Sequence, residues 1–228
     1  DYDRKKMFAE LPNVKLPRTP GTYEYSNYAV GMLGEVLADR WGKPYEQALA
    51  NRVLDPLKLS DTRMTLNDAM RERFAPGYNL ALEETPGWDF DAFAGAGALR
   101  STAADMVKFV QANLADEQTP ISHALQDAQT IQPTPADGQR MALGWHIARD
   151  GHTRWHNGMT GGYHSWLAII PDRQVGVVVL SNTATMKVTE FGEQVTRIAA
   201  GEGVEAPPRR KEVEVAAEVL RKYVGVYR

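Results

Sequence analysis

Cysteine is absent from the 228 residues, which excludes disulfide bonds, a thiolate nucleophile and any metal site with cysteine ligands. No stretch reaches the roughly 20 apolar residues that a membrane-spanning helix requires, and no basic and then apolar signal sequence begins the chain. The 26 basic and 29 acidic residues are mixed along the chain and give a net charge of −3. Because no basic stripe is present to neutralise phosphates, we expect no nucleic-acid partner.

Apolar residues, in contrast, are plentiful and make up 43% of the chain. A chain of this length buries roughly 70 to 75% of its unfolded surface, which is enough for one globular unit. The most apolar stretch consists of two runs, Trp166–Ile170 and Val175–Leu180, joined by the short polar segment Pro171–Gln174. Two such runs around a turn predict a β-hairpin, and their lack of polar alternation predicts strands that are covered on both faces.

The N-terminal part of the chain predicts a layer of helices. Residues 1–20 are polar and interrupted by proline, so we expect a loop that adds nothing to the core. Apolar residues then recur at helical spacing from Tyr28, with Asn27 placed to cap the helix and Gly42 placed to end it. Pro44 suits the first turn of a second helix, which we expect to end near residue 55.

The middle and C-terminal parts predict a sheet flanked by helices. Residues 56–98 have many turn formers and little periodicity, which is typical of a segment that borders a binding site. Thr102 is placed to cap a third helix, and Leu143–Ile147 and Thr153–Trp155 have the composition of strands. A final helix is predicted from the apolar residues Val188, Phe191, Val195 and Ile198. This order predicts an α+β fold, with a largely antiparallel sheet flanked by helices and a helical layer.

Two segments are expected to lie outside these elements. A polar connection through Pro120–Pro135 joins the third helix to the sheet. Residues 205–228 have linker composition and end in the strand-like piece Tyr223–Arg228. We therefore divide the chain into a main domain, residues 1–204, and a linker. The strand-like piece after the linker either adds to the main sheet or starts a truncated C-terminal domain.

Three residues are candidates for chemistry. His156 lies at the entrance of the predicted sheet, where Gly158 lets a ligand approach the backbone closely. Tyr25 and Asn27 are two positions apart, so in an extended segment their side chains point to the same side. Each candidate also has a structural explanation: Tyr25 as a packing residue, Asn27 as a helix cap, and His156 as a half-buried strand residue.

A group of histidines raises the question of a metal site. His146, His152, His156 and His164 fall within nineteen positions. They do not form a His-Glu-x-x-His helix, and no carboxylate is placed as a fixed partner beside them. We therefore predict that the protein uses neither a metal nor another cofactor.

Four ordered stretches carry a family resemblance: Pro20–Tyr28, Ala94–Thr102, His156–Gly158 and Gly161–Tyr163. The chain resembles the C-terminal two-thirds of serine β-lactamase-like hydrolases, the group of class C β-lactamases, D-alanyl-D-alanine carboxypeptidases and related esterases. The first stretch matches the family's Tyr-x-Asn region, and His156–Gly158 matches a strand motif that reads Lys-Thr-Gly or His-x-Gly in different members. The resemblance implies a β-lactamase/transpeptidase-like fold, incomplete at its N-terminus, in a periplasmic or secreted protein.

The resemblance also implies a mechanism, in which a serine attacks an acyl carbon and water later releases the acyl group. Tyr25 would manage the proton of that serine together with a lysine. His156 would assist Tyr25 or lie over a substrate carboxylate, and the backbone N–H of Met159 would supply half of the oxyanion hole. The implied substrate is an ester, a β-lactam or a D-amino-acid peptide, and His156 in place of lysine favours an ester or a peptide.

Three substrate-binding residues are implied in the same way. Asn27 would exchange hydrogen bonds with a substrate amide or with the lysine. Asn157 occupies the position that usually holds a hydroxyl residue, so it would alter the recognition of a substrate carboxylate. Gly158 completes the strand motif and lets the substrate approach the backbone.

The chain departs from the family in one respect that decides what it can do alone. The family nucleophile lies in Ser-x-x-Lys, upstream of the Tyr-x-Asn region, and none of the six serines here has a lysine three positions later. We therefore expect the nucleophile to lie on an N-terminal segment outside this chain, and the isolated chain to be inactive. The six serines are Ser26, Ser60, Ser101, Ser122, Ser165 and Ser181.

Two further expectations follow from the missing motif. A sheet without that segment should expose apolar edges, which a complementary N-terminal fragment or a second copy of the chain would cover. The alternative function is a catalytically inactive module of the same fold, which binds a peptide or a cell-wall fragment.

Overall fold

A computed structural model of the chain describes residues 2–15, 19, 23–132, 140–203 and 214–225. The helices are α1 (Arg4–Glu10), α2 (Asn27–Trp41), α3 (Tyr45–Leu49), α4 (Asp68–Glu72), α5 (Ala94–Gly97), α6 (Ala103–Leu114), α7 (Pro120–Ala128), α8 (Lys187–Ala199) and α9 (Ala217–Arg221). The strands are β1 (Gly77–Tyr78), β2 (Glu84–Thr85), β3 (His146–Ile147), β4 (Arg154–Met159), β5 (His164–Ile170) and β6 (Val175–Ser181). Among the described residues, no helix is both long and apolar enough to cross a membrane.

The main sheet is antiparallel and follows the chain in the order β3, β4, β5 and β6. Trp155 of β4 lies opposite Ala168 of β5, and His164 of β5 lies opposite Ser181 of β6. The 3₁₀ turn Pro171–Arg173 joins β5 to β6, so the predicted hairpin is confirmed. Strands β1 and β2 form a separate two-stranded hairpin. The predicted α+β fold with an antiparallel sheet is therefore confirmed.

Each face of the main sheet carries its own hydrophobic core. On one face, Val110 of α6 packs with Ile147 and Ile169. The cluster on the other face, beside α8, consists of Trp166, Ala168 and Val177. Successive strand residues point to opposite faces, which is why Ala168 and Ile169 belong to different cores. The prediction that the two apolar strands are covered on both faces is confirmed.

Helix α2 positions the first candidate residues, and its cap differs from the prediction. Ser26 is the N-cap, and its Oγ accepts a hydrogen bond from the backbone N–H of Ala29 at 3.1 Å. Capping requires an extended backbone, which Ser26 has, whereas Asn27 is already helical. The predicted role of Asn27 as the cap is therefore wrong. Gly42 ends the helix with φ of 63°, as predicted, and the next helix follows as α3 and a π-helical turn, Ala50–Leu54.

The N-terminal residues contribute more than the predicted loop. Asp3 caps α1 by accepting a hydrogen bond from the backbone N–H of Lys6 at 2.8 Å. Met7 is fully buried, and its carbonyl accepts a hydrogen bond from the Tyr28 hydroxyl at 2.6 Å. The expectation that this segment adds nothing to the core was wrong, because one apolar residue on a capped helix packs against α2. Residues 16–18 and 20–22 lie outside the described part of the chain.

Helix α8 is present where it was predicted, and part of its predicted face packs on the sheet, since Val188 is buried and Val195 packs against the Trp166 cluster. The buried residues of the helix are Val188, Gly192 and Thr196. Phe191 and Ile198, predicted to cover the sheet, are 56% and 59% exposed. A glycine is needed in the contact because a Cβ at position 192 would lie 2.2 Å from Trp166 Cγ. Because the indole is large, α8 packs against it at Gly192, which has no side chain.

Two segments outside the main elements also differ from the predictions. The polar connection after α6 contains helix α7, which Thr119 caps through a hydrogen bond from the Ser122 backbone N–H. Residues 133–139 of that connection, and residues 205–213 of the predicted linker, lie outside the described residues. The described part of the predicted terminal strand, residues 223–225, follows α9 as a turn and is not a strand.

Apolar side chains are exposed on several elements. Helix α2 exposes Val30, Leu33 and Val36 along its outer side. In the described part of the chain, β6 is hydrogen-bonded to another strand of the main sheet only along its β5 side. The sheet therefore ends in an open edge at β6, and α2 and α8 each expose apolar side chains.

Candidate functional site

Strand β4 has an open edge beside the predicted site residues. Its first two residues, Arg154 and Trp155, pair with β3, whereas residues 156–159 pair only with β5 among the described strands. Met159, at the end of the strand, is half exposed. The strand therefore offers backbone groups to a ligand along its last four residues.

The alternation of the antiparallel ladder shows which backbone groups face that edge. The backbone N–H of Thr160 donates to the Tyr163 carbonyl at 3.0 Å, which closes the β4–β5 hairpin. Opposite residues alternate between hydrogen-bonded and non-hydrogen-bonded pairs, so Met159 and His164 form a pair of the second kind. The N–H and C=O groups of Met159 and Asn157 therefore point away from β5 and toward the open edge.

The structure brings Tyr25 and His156 together at this edge, although they are far apart in sequence. Their ring centroids are 6.4 Å apart, and Tyr25 is 56% exposed in the extended segment before α2. His146 of β3 joins them, with ring centroids 5.1 Å from His156 and 6.2 Å from Tyr25. The sequence reading missed His146 as a site residue, because its position depends on the pairing of β3 with β4.

The hydrogen bonds of His156 indicate how its ring is used. Its Nδ1 lies 2.5 Å from the carbonyl oxygen of Asn157. A carbonyl oxygen only accepts hydrogen bonds, so Nδ1 carries the proton and donates. In the neutral form of the ring, this hydrogen bond leaves Nε2 as the acceptor for a proton from a substrate or from a neighbouring hydroxyl.

The remaining predicted residues are placed less directly. The amide nitrogen of Asn157 donates to Thr189 Oγ1 of α8 at 3.0 Å, so its side chain is held on the α8 side and only its backbone faces the open edge. Gly158 is exposed, and a Cβ there would lie 3.2 Å from Ser165 Oγ. Asn27 is exposed at the first position of α2. The structure thus brings the rings of Tyr25 and His156 together beside the β4 edge, to which the Met159 backbone also points.

The sequence model of the Beta-lactamase family matches residues 1–200 of the chain. The chain belongs to the Beta-lactamase family. The chain is 25% identical over 217 residues to a beta-lactamase of Pseudomonas fluorescens. The aligned part covers 78% of this chain and 59% of that protein. The chain is 28% identical over 194 residues to the D-alanyl-D-alanine-carboxypeptidase/endopeptidase AmpH of Escherichia coli (strain K12), which covers 78% of this chain and 50% of that protein.

Solved structures of similar fold agree with the family membership. A beta-lactamase/D-alanine carboxypeptidase from Pseudomonas syringae has a TM-score of 0.74 at 20% identity, over 90% of this chain and 66% of that one. A class C beta lactamase from Rhodobacter sphaeroides has a TM-score of 0.71 at 22% identity, over 87% of this chain and 64% of that one. At these identities the similarity shows the fold alone. The chain spans about half of the length of the curated relatives it matches.

The chain also has a cavity of about 410 Å³, and the residues of the β4 edge do not line it. Its lining includes Arg73, Arg100, Phe74 and Tyr163, but neither Tyr25 nor His156. Asp61, also in the lining, forms an ion pair with Arg73 at 2.7 Å. The cavity is therefore not the candidate active site.

Two buried histidines make the stability of this Beta-lactamase-family chain depend on pH. Burial lowers the pKa of His146 and of His164, and the neighbouring His156 lowers the pKa of His146 further. As the pH falls below about 6.5, the ordinary histidine value, the unfolded chain binds protons that the folded chain resists. The contribution of both groups to stability is therefore complete above about pH 6.5 and is lost as the pH falls through their folded-state values.

We expect the urea midpoint of the chain to decrease between about pH 7.5 and about pH 5.5, above the range in which most carboxylates titrate. The double variant His146→Phe, His164→Gln should weaken that dependence, and the exposed His123→Gln should not. A midpoint that stays constant over this interval would contradict the assignment of neutral, buried imidazoles.

Proposed function

We propose that this chain forms part of a serine hydrolase of the Beta-lactamase family, which acts through an acyl-enzyme on an ester, a β-lactam or a D-amino-acid peptide. The observation that carries the proposal is the approach of Tyr25 and His156 at the open edge of β4. A proton-transferring pair beside backbone groups that face an open strand edge suits acyl transfer, which needs both proton transfer and a bound acyl group.

The proposed roles follow from the atoms that face the open edge of β4. Tyr25 is exposed, so its hydroxyl can exchange a proton with a nucleophile, and His156 Nε2 can accept that proton or hold the substrate carboxylate. The backbone N–H of Met159 points to the open edge and would donate to the developing oxyanion. The Asn157 backbone would pair with a substrate amide, as in the addition of a strand.

The nucleophile is proposed to come from outside these 228 residues. None of the six serines has a lysine three positions later, so the chain offers no serine with the family's activating partner. The exposed apolar sides of α2 and α8 and the free edge of β6 are the surfaces that a complementary segment, or else a second copy, would cover. We expect the isolated chain to associate in sedimentation experiments, and a stable monomer would contradict this part.

The names of the relatives narrow the substrate class without deciding it. They include beta-lactamases, a D-alanyl-D-alanine carboxypeptidase and an unguisins hydrolase. By the family resemblance His156 stands where other members carry lysine, and an imidazole is a weaker cation for a substrate carboxylate than an ammonium group. We therefore propose ester or peptide substrates over efficient β-lactam hydrolysis.

The test is to assay the product of the complete gene against an activated ester, a D-alanyl-D-alanine peptide and a chromogenic β-lactam. We expect turnover of the ester or the peptide to exceed turnover of the β-lactam. Rapid hydrolysis of the β-lactam would contradict the proposed substrate preference, and the absence of turnover of all three would contradict the hydrolase.

The second candidate function is a catalytically inactive binding module. It is favoured by the same lack of a Ser-x-x-Lys serine, together with a β4 edge that remains free to bind a peptide. It predicts that the complete gene product binds a D-alanyl-D-alanine peptide in calorimetry without releasing a product. Release of the terminal D-alanine would exclude it.

A further inference from the structure

His146 is the histidine of this site to which the proposed acyl transfer gives no role. It begins β3, is 9% exposed and lies opposite Trp155 of β4. Its ring contacts both His156, at 5.1 Å, and Tyr25, at 6.2 Å, measured between ring centroids. It therefore touches both residues that are proposed to transfer the proton.

The rings around His146 form a stacked series from the core to the surface. Trp166 and Trp155 stack at 5.0 Å with 17° between their planes, and Trp155 and His146 at 4.5 Å with 24°. His146 and Tyr25 continue the series at 6.2 Å with 17°. The buried end is anchored, because the Trp166 indole N–H donates to Thr196 Oγ1 at 3.1 Å. The exposed Tyr25 ring is thereby connected to the core.

We propose that His146 is a positioning residue, which holds the ring of Tyr25 beside His156 through this stacked series. The inference rests on the proposed function, since it concerns the same pair of residues. Near-parallel rings at these distances attract each other, and a tyrosine loses little conformational freedom when its ring is held. His146 thus restrains the exposed Tyr25 ring and fixes the distance between the Tyr25 and His156 rings.

The environment of His146 suits a neutral imidazole. Burial lowers its pKa, and the neighbouring His156 adds to this effect. At neutral pH the uncharged ring therefore stacks on Trp155 beside His156. Tyr25 and His156 are the titratable residues in ring contact with it, so the stacked series and the proton-transferring pair meet at this residue.

Two variants separate the ring of His146 from its other properties. His146→Phe keeps a flat ring, whereas His146→Gln keeps a polar side chain of similar length without a ring. In NMR spectra of the 228-residue chain, the measured quantity is the NOE between the ring protons of Tyr25 and His156. We expect His146→Gln to lose this NOE and His146→Phe to retain it. His123→Gln, at an exposed position of α7, is the matched control and should leave it unchanged.

Three outcomes would overturn the proposal: an NOE that survives in His146→Gln, an NOE that is lost in both variants while their amide spectra remain those of the folded chain, or an NOE that is lost in folded His146→Phe alone. If one variant fails to fold, the other decides by the same criterion. None of these signals depends on acyl transfer. A negative result here therefore leaves the proposed function standing, and an inactive gene product leaves this geometry standing.

Discussion

Replacing Gly192 with alanine is expected to destabilise the chain by about 2 kcal/mol. The new Cβ would lie 2.2 Å from Cγ and 2.4 Å from Cδ1 of Trp166, and an indole in a packed core cannot move aside cheaply. Overpacking of this kind costs about 1 to 3 kcal/mol or more. So short a contact places the cost of overpacking at the upper end of its usual range, about 3 kcal/mol, against about 1 kcal/mol gained in helix propensity.

The measurement is urea denaturation of the Gly192→Ala variant beside the wild type. Gly203→Ala is the matched control, because a Cβ at position 203 meets no atom within 4 Å, and we expect it to change the free energy of unfolding by less than about 0.5 kcal/mol. A Gly192→Ala variant as stable as the wild type would show that α8 does not approach β5 as closely as described.

Replacing Tyr25 with phenylalanine in the complete gene product is expected to lower the rate of acyl transfer about 10² to 10⁴-fold, the usual contribution of a positioned acid or base. The hydroxyl is the only group removed, and Tyr25 is largely exposed, so the free energy of unfolding should change by less than about 0.5 kcal/mol. Loss of activity without loss of stability is the expected signature of a proton-transferring residue.

Tyr28 provides the matched comparison for this variant. Its hydroxyl donates to the Met7 carbonyl at 2.6 Å, so Tyr28→Phe removes a structural hydrogen bond worth about 1 kcal/mol. We expect Tyr28→Phe to lower stability and to leave the rate constant of acylation nearly unchanged. Equal activity of wild type and Tyr25→Phe would remove Tyr25 from the proposed mechanism.

Features with local causes were predicted well from the sequence. Gly42 ends α2 because glycine tolerates a left-handed backbone, and Thr102 caps α6 by accepting a hydrogen bond from the Asp105 backbone N–H. The β5–β6 hairpin follows from two apolar runs around a short turn. The choice between Ser26 and Asn27 as the cap of α2 failed, because both residue types cap helices and only the backbone conformation distinguishes them.

Features that depend on contacts between distant segments were not derivable from spacing. The approach of Tyr25 to His156 was implied by the family resemblance alone, and His146 joins them only because β3 pairs with β4 in one register. The contact of α8 at Gly192 depends on the size of Trp166, which lies on strand β5. The spacing of residues within α8 cannot predict this contact. The attachment of the Asn157 side chain to Thr189 likewise depends on where α8 crosses the sheet.

The most direct test of the proposal is the intact mass of two samples, the 228-residue chain and the product of the complete gene, before and after exposure to a reactive β-lactam and an activated ester. We predict a single unmodified species of about 25.3 kDa for the chain. For the complete product, we predict an acyl adduct on a Ser-x-x-Lys serine outside these residues. An adduct on any of the six serines of the chain would contradict a nucleophile supplied from outside it.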